Sequence, residues 1–157
     1  MPELVIVDTS SLIALEKVNL LDLLCKVYFQ VVIPESVIRE FGIVSLPCLS
    51  TRTVESNLLK LLVTDLNLGK GEADVIALAS QTGSEVMIDD LRARKVAENM
   101  GLKVTGTIGF LIRAEKLGLI ESAYDKAKSL QVKEYHLNLC IMKHVLIKAM
   151  LSEEKNA

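Results

Sequence analysis

The sequence predicts an α/β fold with a parallel sheet, and three observations predict it. Short, unbroken apolar runs recur along the chain, as at Leu4–Val7, Val31–Ile33 and Val86–Ile88. Unbroken rather than alternating hydrophobicity marks strands buried on both faces. Segments of helical period separate these runs, and none of the connections carries a tight hairpin signal. Such an order implies parallel strands joined by right-handed crossovers.

Taken in order, Leu4 to Asp8 reads as the first buried strand. Ser10 or Ser11 can cap the helix that follows, whose core face is supplied by Leu12, Ile13, Leu15, Leu20, Leu21, Leu23 and Leu24, with Asn19 breaking it in two. Phe29–Ile33 is a second strand stopped by Pro34, and a helix from Pro34 to Phe41 ends at Gly42. Residues 43–56 mix Pro47, Ser and Thr with apolar side chains and predict no element, while Leu61–Asp65 reads as a short strand. A helix from Gly71 to Thr82 is closed by Gly83, and a strand at Val86–Ile88 leads to a helix at Leu91–Met100 closed by Gly101. Leu102–Thr105 is a last strand, and helices are expected at Ile108–Lys116, Ile120–Leu130 and Leu137–Leu151. The last carries an apolar stripe of Leu137, Ile141, Met142, Val145, Leu146 and Met150, suited to packing on the sheet or to a dimer or antitoxin surface.

The 157 residues fit one domain, able to bury roughly 70% of the surface of its unfolded chain. No uncharged apolar run approaches the roughly 18 residues a membrane span requires, and no basic region precedes the first apolar stretch. Cys25, Cys48 and Cys140 are odd in number and form no CxxC pair, so small buried hydrophobes in a reducing cytoplasm are expected rather than a disulfide framework or zinc ribbon. His136 and His144 stand eight residues apart, too far for ligation from adjacent turns. A net charge of −2 argues against a general nucleic-acid coat protein but leaves room for a nuclease whose cations come from bound metal.

Acidic residues at the ends of strands carry the functional signal. Asp8 ends the first, Asp89 and Asp90 follow the strand at Val86–Ile88, and Glu72 and Asp74 open a helix. In an open parallel sheet ligands bind beyond the carboxyl ends of the strands. Carboxylates gathered there repel by roughly 1 to 4 kcal/mol per close pair, which a cation would relieve. Asp8 could be an ordinary helix cap, but Thr9, Ser10 and Ser11 could each fill that role. Glu72 and Asp74, two residues apart, diverge by about 200° around a helix; Glu72 shares the face of Val75, Ile76 and Ala79, whereas the face of Asp74 is less decisive. One of Asp89 and Asp90 caps the next helix and leaves the other to face the crevice. Glu40 sits at a helix end, against the dipole, where a cation would compensate it. Arg92, Arg94 and Lys95 form a basic group suited to phosphate or to a plain solvated face.

These stretches together resemble the PIN-domain family of metal-dependent ribonucleases, including its VapC-type toxins. Val5–Leu15 resembles the family's opening motif, Val32–Glu40 its second, Gly71–Ala79 its third and Met87–Arg94 its fourth; Val104–Leu111 resembles a Gly-Thr turn and helix of one prokaryotic branch. The resemblance covers residues 4 to about 120, and residues of about 120–152 would form a helical extension of a single domain 1–157. It implies a parallel sheet of four or five strands flanked by helices, a homodimer, and hydrolysis of RNA by a metal-activated water. Hard oxygen donors without a His or Cys cluster suit Mg²⁺ or Mn²⁺. Asp8 would be the central ligand, with Glu72 or Asp74 and Asp89 or Asp90, while Glu40 reaches a second metal through water. Thr9, Ser10 or Thr107 would orient water or a carboxylate.

Two rivals remain. Haloacid-dehalogenase-type phosphatases want an Asp two residues after the first, where Ser10 stands, and receiver domains want a paired acid after the first strand, where Asp8 is alone. A non-catalytic interaction protein on the same fold is the other.

Overall fold

The computed structural model describes residues 4–132. Five parallel strands form one sheet in the order β3-β2-β1-β4-β5. They are β1 (Leu4–Val7), β2 (Gln30–Pro34), β3 (Leu49–Arg52), β4 (Glu85–Met87) and β5 (Val104–Thr105). β1 is central: Ile6 stands opposite Val32 on one side and Val86 on the other. Val5, Ile6 and Val7 have no exposure to solvent, as unbroken apolar strands in a covered parallel sheet require.

The helices are α1 (Thr9–Lys17), α2 (Leu24–Val27, entered through a 3-10 turn at Leu21–Leu23), α3 (Glu35–Phe41), α4 (Asn57–Thr64), α5 (Lys70–Thr82), α6 (Leu91–Asn99), α7 (Thr107–Lys116) and α8 (Ala123–Val132). Asn19 interrupts the first helical stretch with φ of 57°. Gly83 closes α5 in the left-handed conformation. The order of strands reverses on either side of β1, so β1 and β4 end at the crevice where such sheets bind ligands.

Four expectations are corrected. Leu61–Asp65 is not a strand but the last turn of α4. Short apolar runs do not separate helix from strand by period, and here Ser56 decides, its Oγ accepting the Leu59 N–H at 3.1 Å as an N-cap. The edge strand β3 lies instead within residues 43–56; its half-exposed and exposed side chains hide it from any search for buried apolar runs. The cap of α1 is Asp8 rather than Ser10 or Ser11, because the helix begins at Thr9 and places both serines in its first turn. Finally, Cys25 and Cys48 are joined by a disulfide, not left as separate hydrophobes; 23 residues apart, they meet because β2 and β3 run side by side and bring the loop before β3 back over α2.

Helix α8 starts three residues later than expected, with Ser122 Oγ taking the Asp125 N–H. The predicted helix Leu137–Leu151 and its stripe lie outside the described residues. Among the described residues no helix is long and apolar enough to cross a membrane.

At the opposite end of the sheet from the acidic residues, Arg113 of α7 reaches Glu85 at 3.1 Å and donates to the Tyr28 hydroxyl at 2.7 Å. Burial pushes the Tyr28 phenol upward, with the Glu85 charge adding to it.

Candidate active site

Asp8 follows β1 directly, and only 1% of it meets solvent. Its Oδ1 accepts the Ser11 N–H at 2.9 Å, which is the capping bond of α1. Its Oδ2 is buried with no hydrogen-bond partner. Burial, reinforced by the neighbouring Asp89 and Glu72 carboxylates, pushes the Asp8 pKa up to about 7 against the opposing Ser11 bond. The capping bond therefore occupies only one of the two Asp8 oxygens.

A cavity of about 300 Å³ opens beside it, lined by Asp8, Thr9, Ser10, Glu40 and Glu72 with Arg39 and Lys70. Thr9 Oγ1 donates to Glu40 Oε2 at 3.0 Å, which ties α3 to the start of α1. Gly71 makes room for this pair: a Cβ there would stand 3.3 Å from Glu40 Oε2. Glu72, at the third position of α5, accepts the Gly69 N–H at 3.3 Å through Oε2, the returning half of a capping box. Burial pushes the Glu72 pKa up, Asp90 and Glu40 adding to the push.

The two carboxylates of α5 part company. Asp74 is the more buried, 4% exposed, although sequence placed Glu72 on the inner face. Its Oδ2 accepts from Ser36 Oγ, Lys70 Nζ stands 3.9 Å away, and its Oδ1 is buried without a partner. It lines a second, adjoining cleft rather than the cavity of Asp8. Glu72 is the one beside Asp8, because the first turn of α5 lies over the strand ends while position 74 has rotated toward α3.

The adjacent pair after β4 also divides. Asp90 is the N-cap of α6, its Oδ1 accepting the Ala93 N–H at 2.8 Å. Asp89 is held by Thr107 instead, Oδ1 taking the N–H at 2.7 Å and Oδ2 the hydroxyl. Gly106, the formal cap of α7, has no side chain, so Asp89 satisfies that helix end from another strand. A Cβ on Gly106 would meet Asp89 Oδ1 at 2.9 Å and Arg94 Nη1 at 2.6 Å, so a larger residue there would push these side chains aside.

Arg94 is accordingly half-buried near Asp89, while Arg92 and Lys95 are exposed on α6. Sequence reading missed Arg39 and Lys70. Lys70 had a signal: a cation at the first position of a helix opposes the dipole and calls for a reason. Arg39 had none, being bonded to Glu35 one turn back as many surface arginines are.

The family model of the PIN domain matches residues 4–150. The chain belongs to the PIN-domain family. No curated protein matches it. A PIN domain is a nuclease-type fold, and nucleases of this fold typically use divalent metals.

The donor set meets that requirement in part. Every candidate ligand is a carboxylate oxygen, the choice of Mg²⁺ or Mn²⁺. Asp8 Oδ2 is buried and lacks a donor, as a ligand atom in a metal-free site would be. Yet among the described residues no three His, Cys, Asp or Glu side chains stand close enough to hold one ion.

Proposed function

We propose that this PIN-domain protein is a Mg²⁺- or Mn²⁺-dependent endoribonuclease of the VapC-like branch, the toxin of a toxin–antitoxin pair. The observation that carries the proposal is the unpartnered, buried Oδ2 of Asp8, raised in pKa by burial and by two further carboxylates. A structural cap needs one oxygen bonded and the other in water; burial of the second, among like charges, costs stability that a structural role does not repay.

Asp8 and Glu72 are the residues that would hold the ion, with the Asp89 carboxylate near enough for its charge to act on Asp8. The bound ion would lower the pKa of a water and withdraw charge from the scissile phosphate. Thr107 fixes both oxygens of Asp89, and Thr9 fixes Glu40 at the cavity wall, where its carboxylate can orient a water. Lys70 and Arg39 on the rim, and Arg92 and Lys95 on α6, would neutralise phosphates of the RNA. Asp90 would act through Glu72, whose pKa it raises. The proposal includes a single domain over 1–157 and a homodimer.

The test is incubation of the purified protein with an RNA pool, with Mn²⁺ or with EDTA, beside Asp8→Asn. Cleavage by the wild type in Mn²⁺ alone is expected. Equal cleavage by the variant, or cleavage in EDTA, would remove Asp8 from the chemistry. Inactivity on every RNA would favour a non-catalytic interaction protein, a reading supported by the use of Asp89 and Asp90 as helix caps.

A further inference from the structure

The Asp8 cavity and the larger cleft beside it share one edge, formed by Ser36, Arg39 and Lys70. Its two cations each have an acid one turn away on their own helix, Glu35 for Arg39 and Asp74 for Lys70. Both acids line the cleft and neither lines the Asp8 cavity, so each cation is held from the cleft side. The Arg39–Glu35 pair is exposed and runs in the order that stabilises an isolated helix. The Lys70–Asp74 pair is different. Its order is the less favourable one, and Lys70 stands at the first position of α5, against the dipole. Asp74 is also buried, at 4% exposure, where a carboxylate is costly to place. Helix stability therefore accounts for the first pair and not for the second.

We propose that Asp74 is a positioning residue that holds the Lys70 ammonium at the edge of the Asp8 cavity, where it grips a phosphate of the RNA strand next to the scissile one. The proposal rests on the nuclease reading for its ligand. Asp74 is itself fixed by α3, whose Ser36 donates to its Oδ2. Gly71 lets α3 lie this close to α5, since a Cβ there would stand 3.3 Å from Val37 Cγ2. Lys70 Nζ stands 3.9 Å from that same Asp74 oxygen, an ion pair too long for a hydrogen bond. The charge of Asp74 thus restrains the ammonium without using its three donors, which stay available to phosphate oxygens. A lysine restrained beforehand loses less rotamer freedom on gripping a ligand than one that sweeps through solvent. The Lys70 side chain is 63% exposed, so a phosphate reaches it from solvent. Asp74 also repels that phosphate, and the two effects differ in sign: under restraint Lys70 contributes less once Asp74 is neutral, under repulsion it contributes more.

Fluorescence anisotropy of a labelled decauridylate in EDTA reads binding apart from cleavage. Lys70→Ala should weaken binding about tenfold, the value of one hydrogen bond to a charged group. It should also lower the slope of log Kd against log salt by about 0.7, the share of one phosphate on a single strand. Asp74→Asn keeps an oxygen for Ser36 and removes the charge. In that background the cost of Lys70→Ala should fall to about threefold or less, a coupling that a purely structural Asp74 would not produce. A cost that stays the same or rises overturns the proposal. Lys60→Ala removes a cation that lines only the cleft and should cost about threefold or less. Lys70→Ala costing no more than Lys60→Ala overturns the proposal even should Asp74→Asn not fold, as does a wild type that binds no decauridylate. Coupling between Lys70 and Asp74 without Mn²⁺-dependent cleavage removes the nuclease reading and leaves the phosphate grip. Mn²⁺-dependent cleavage without the coupling does the reverse.

Discussion

Replacing Asp8 by Asn should stabilise the metal-free protein at pH 8 and not at pH 4. The Asp8 carboxyl has an ordinary value of 3.8 and is pushed up to about 7 in the fold. Below pH 3.8 the group is protonated in both states and has no effect on stability. Between 3.8 and about 7 the unfolded chain loses a proton that the folded protein keeps, so stability falls as pH rises. Above about 7 the loss is complete and constant. A shift of this size corresponds to about 4 kcal/mol at 1.36 kcal/mol per unit. Asparagine keeps an oxygen for the Ser11 N–H but brings a buried amide, whose imperfect pairing with nearby carboxylates returns about 1 to 3 kcal/mol. The net expectation is a gain of about 1 to 3 kcal/mol at pH 8, or some 2 to 12 °C in Tm. Urea melts of both proteins in EDTA at pH 4, 6 and 8 provide the assay, because other titrating groups cancel in the difference. Equal destabilisation of the variant at all three pH values would refute the reasoning and reduce Asp8 to a helix cap.

Three further outcomes are expected. Thr107→Val keeps the N–H to Asp89 but loses the hydroxyl; it should slow RNA cleavage about 10- to 100-fold at a stability cost near 1 kcal/mol, with Thr107→Ser restoring the rate, as single-turnover kinetics and melts would show. Reducing the Cys25–Cys48 bond should lower unfolding stability by about 3 kcal/mol for a closed loop of 23 residues, measured as the urea midpoint with and without dithiothreitol. Arg113→Met should cost about 3 kcal/mol in urea melts by stranding the buried Glu85, the lower end for a broken pair because 28% of the Arg113 side chain still meets water.

Most of the frame was legible because buried parallel strands leave an unbroken apolar signature, as in Leu4–Val7, and because a carboxylate directly after such a strand must face the crevice. Legibility stopped where one-dimensional pattern meets two structural solutions. The run Leu61–Val63 suits either a strand or a helix, and only the Ser56 cap upstream separates them. β3 has no apolar signature because it is an edge strand with a half-exposed face. Between Glu72 and Asp74 the helical face of apolar neighbours favoured Glu72 as the buried one. Burial instead follows α3, which covers Asp74 and offers it Ser36 from 38 positions away. Between Asp89 and Asp90 the capping of α6 is local and was anticipated. The grip of Thr107 on Asp89 depends on β4 and β5 lying side by side, which no local pattern shows. The disulfide failed for the same reason, since Cys25 and Cys48 meet only through the β2–β3 pairing.

The central claim is that the buried Asp8 carboxylate awaits a divalent cation. Calorimetric titration of Mn²⁺ at pH 6, repeated in two buffers of different ionisation enthalpy, tests it most directly. With a metal-free pKa of about 7, Asp8 is mostly protonated at that pH, so binding should release about one proton. Asp8→Asn should release fewer protons and bind the ion far more weakly. Equal Mn²⁺ affinity in the two proteins, or binding without proton release in the wild type, would contradict the account.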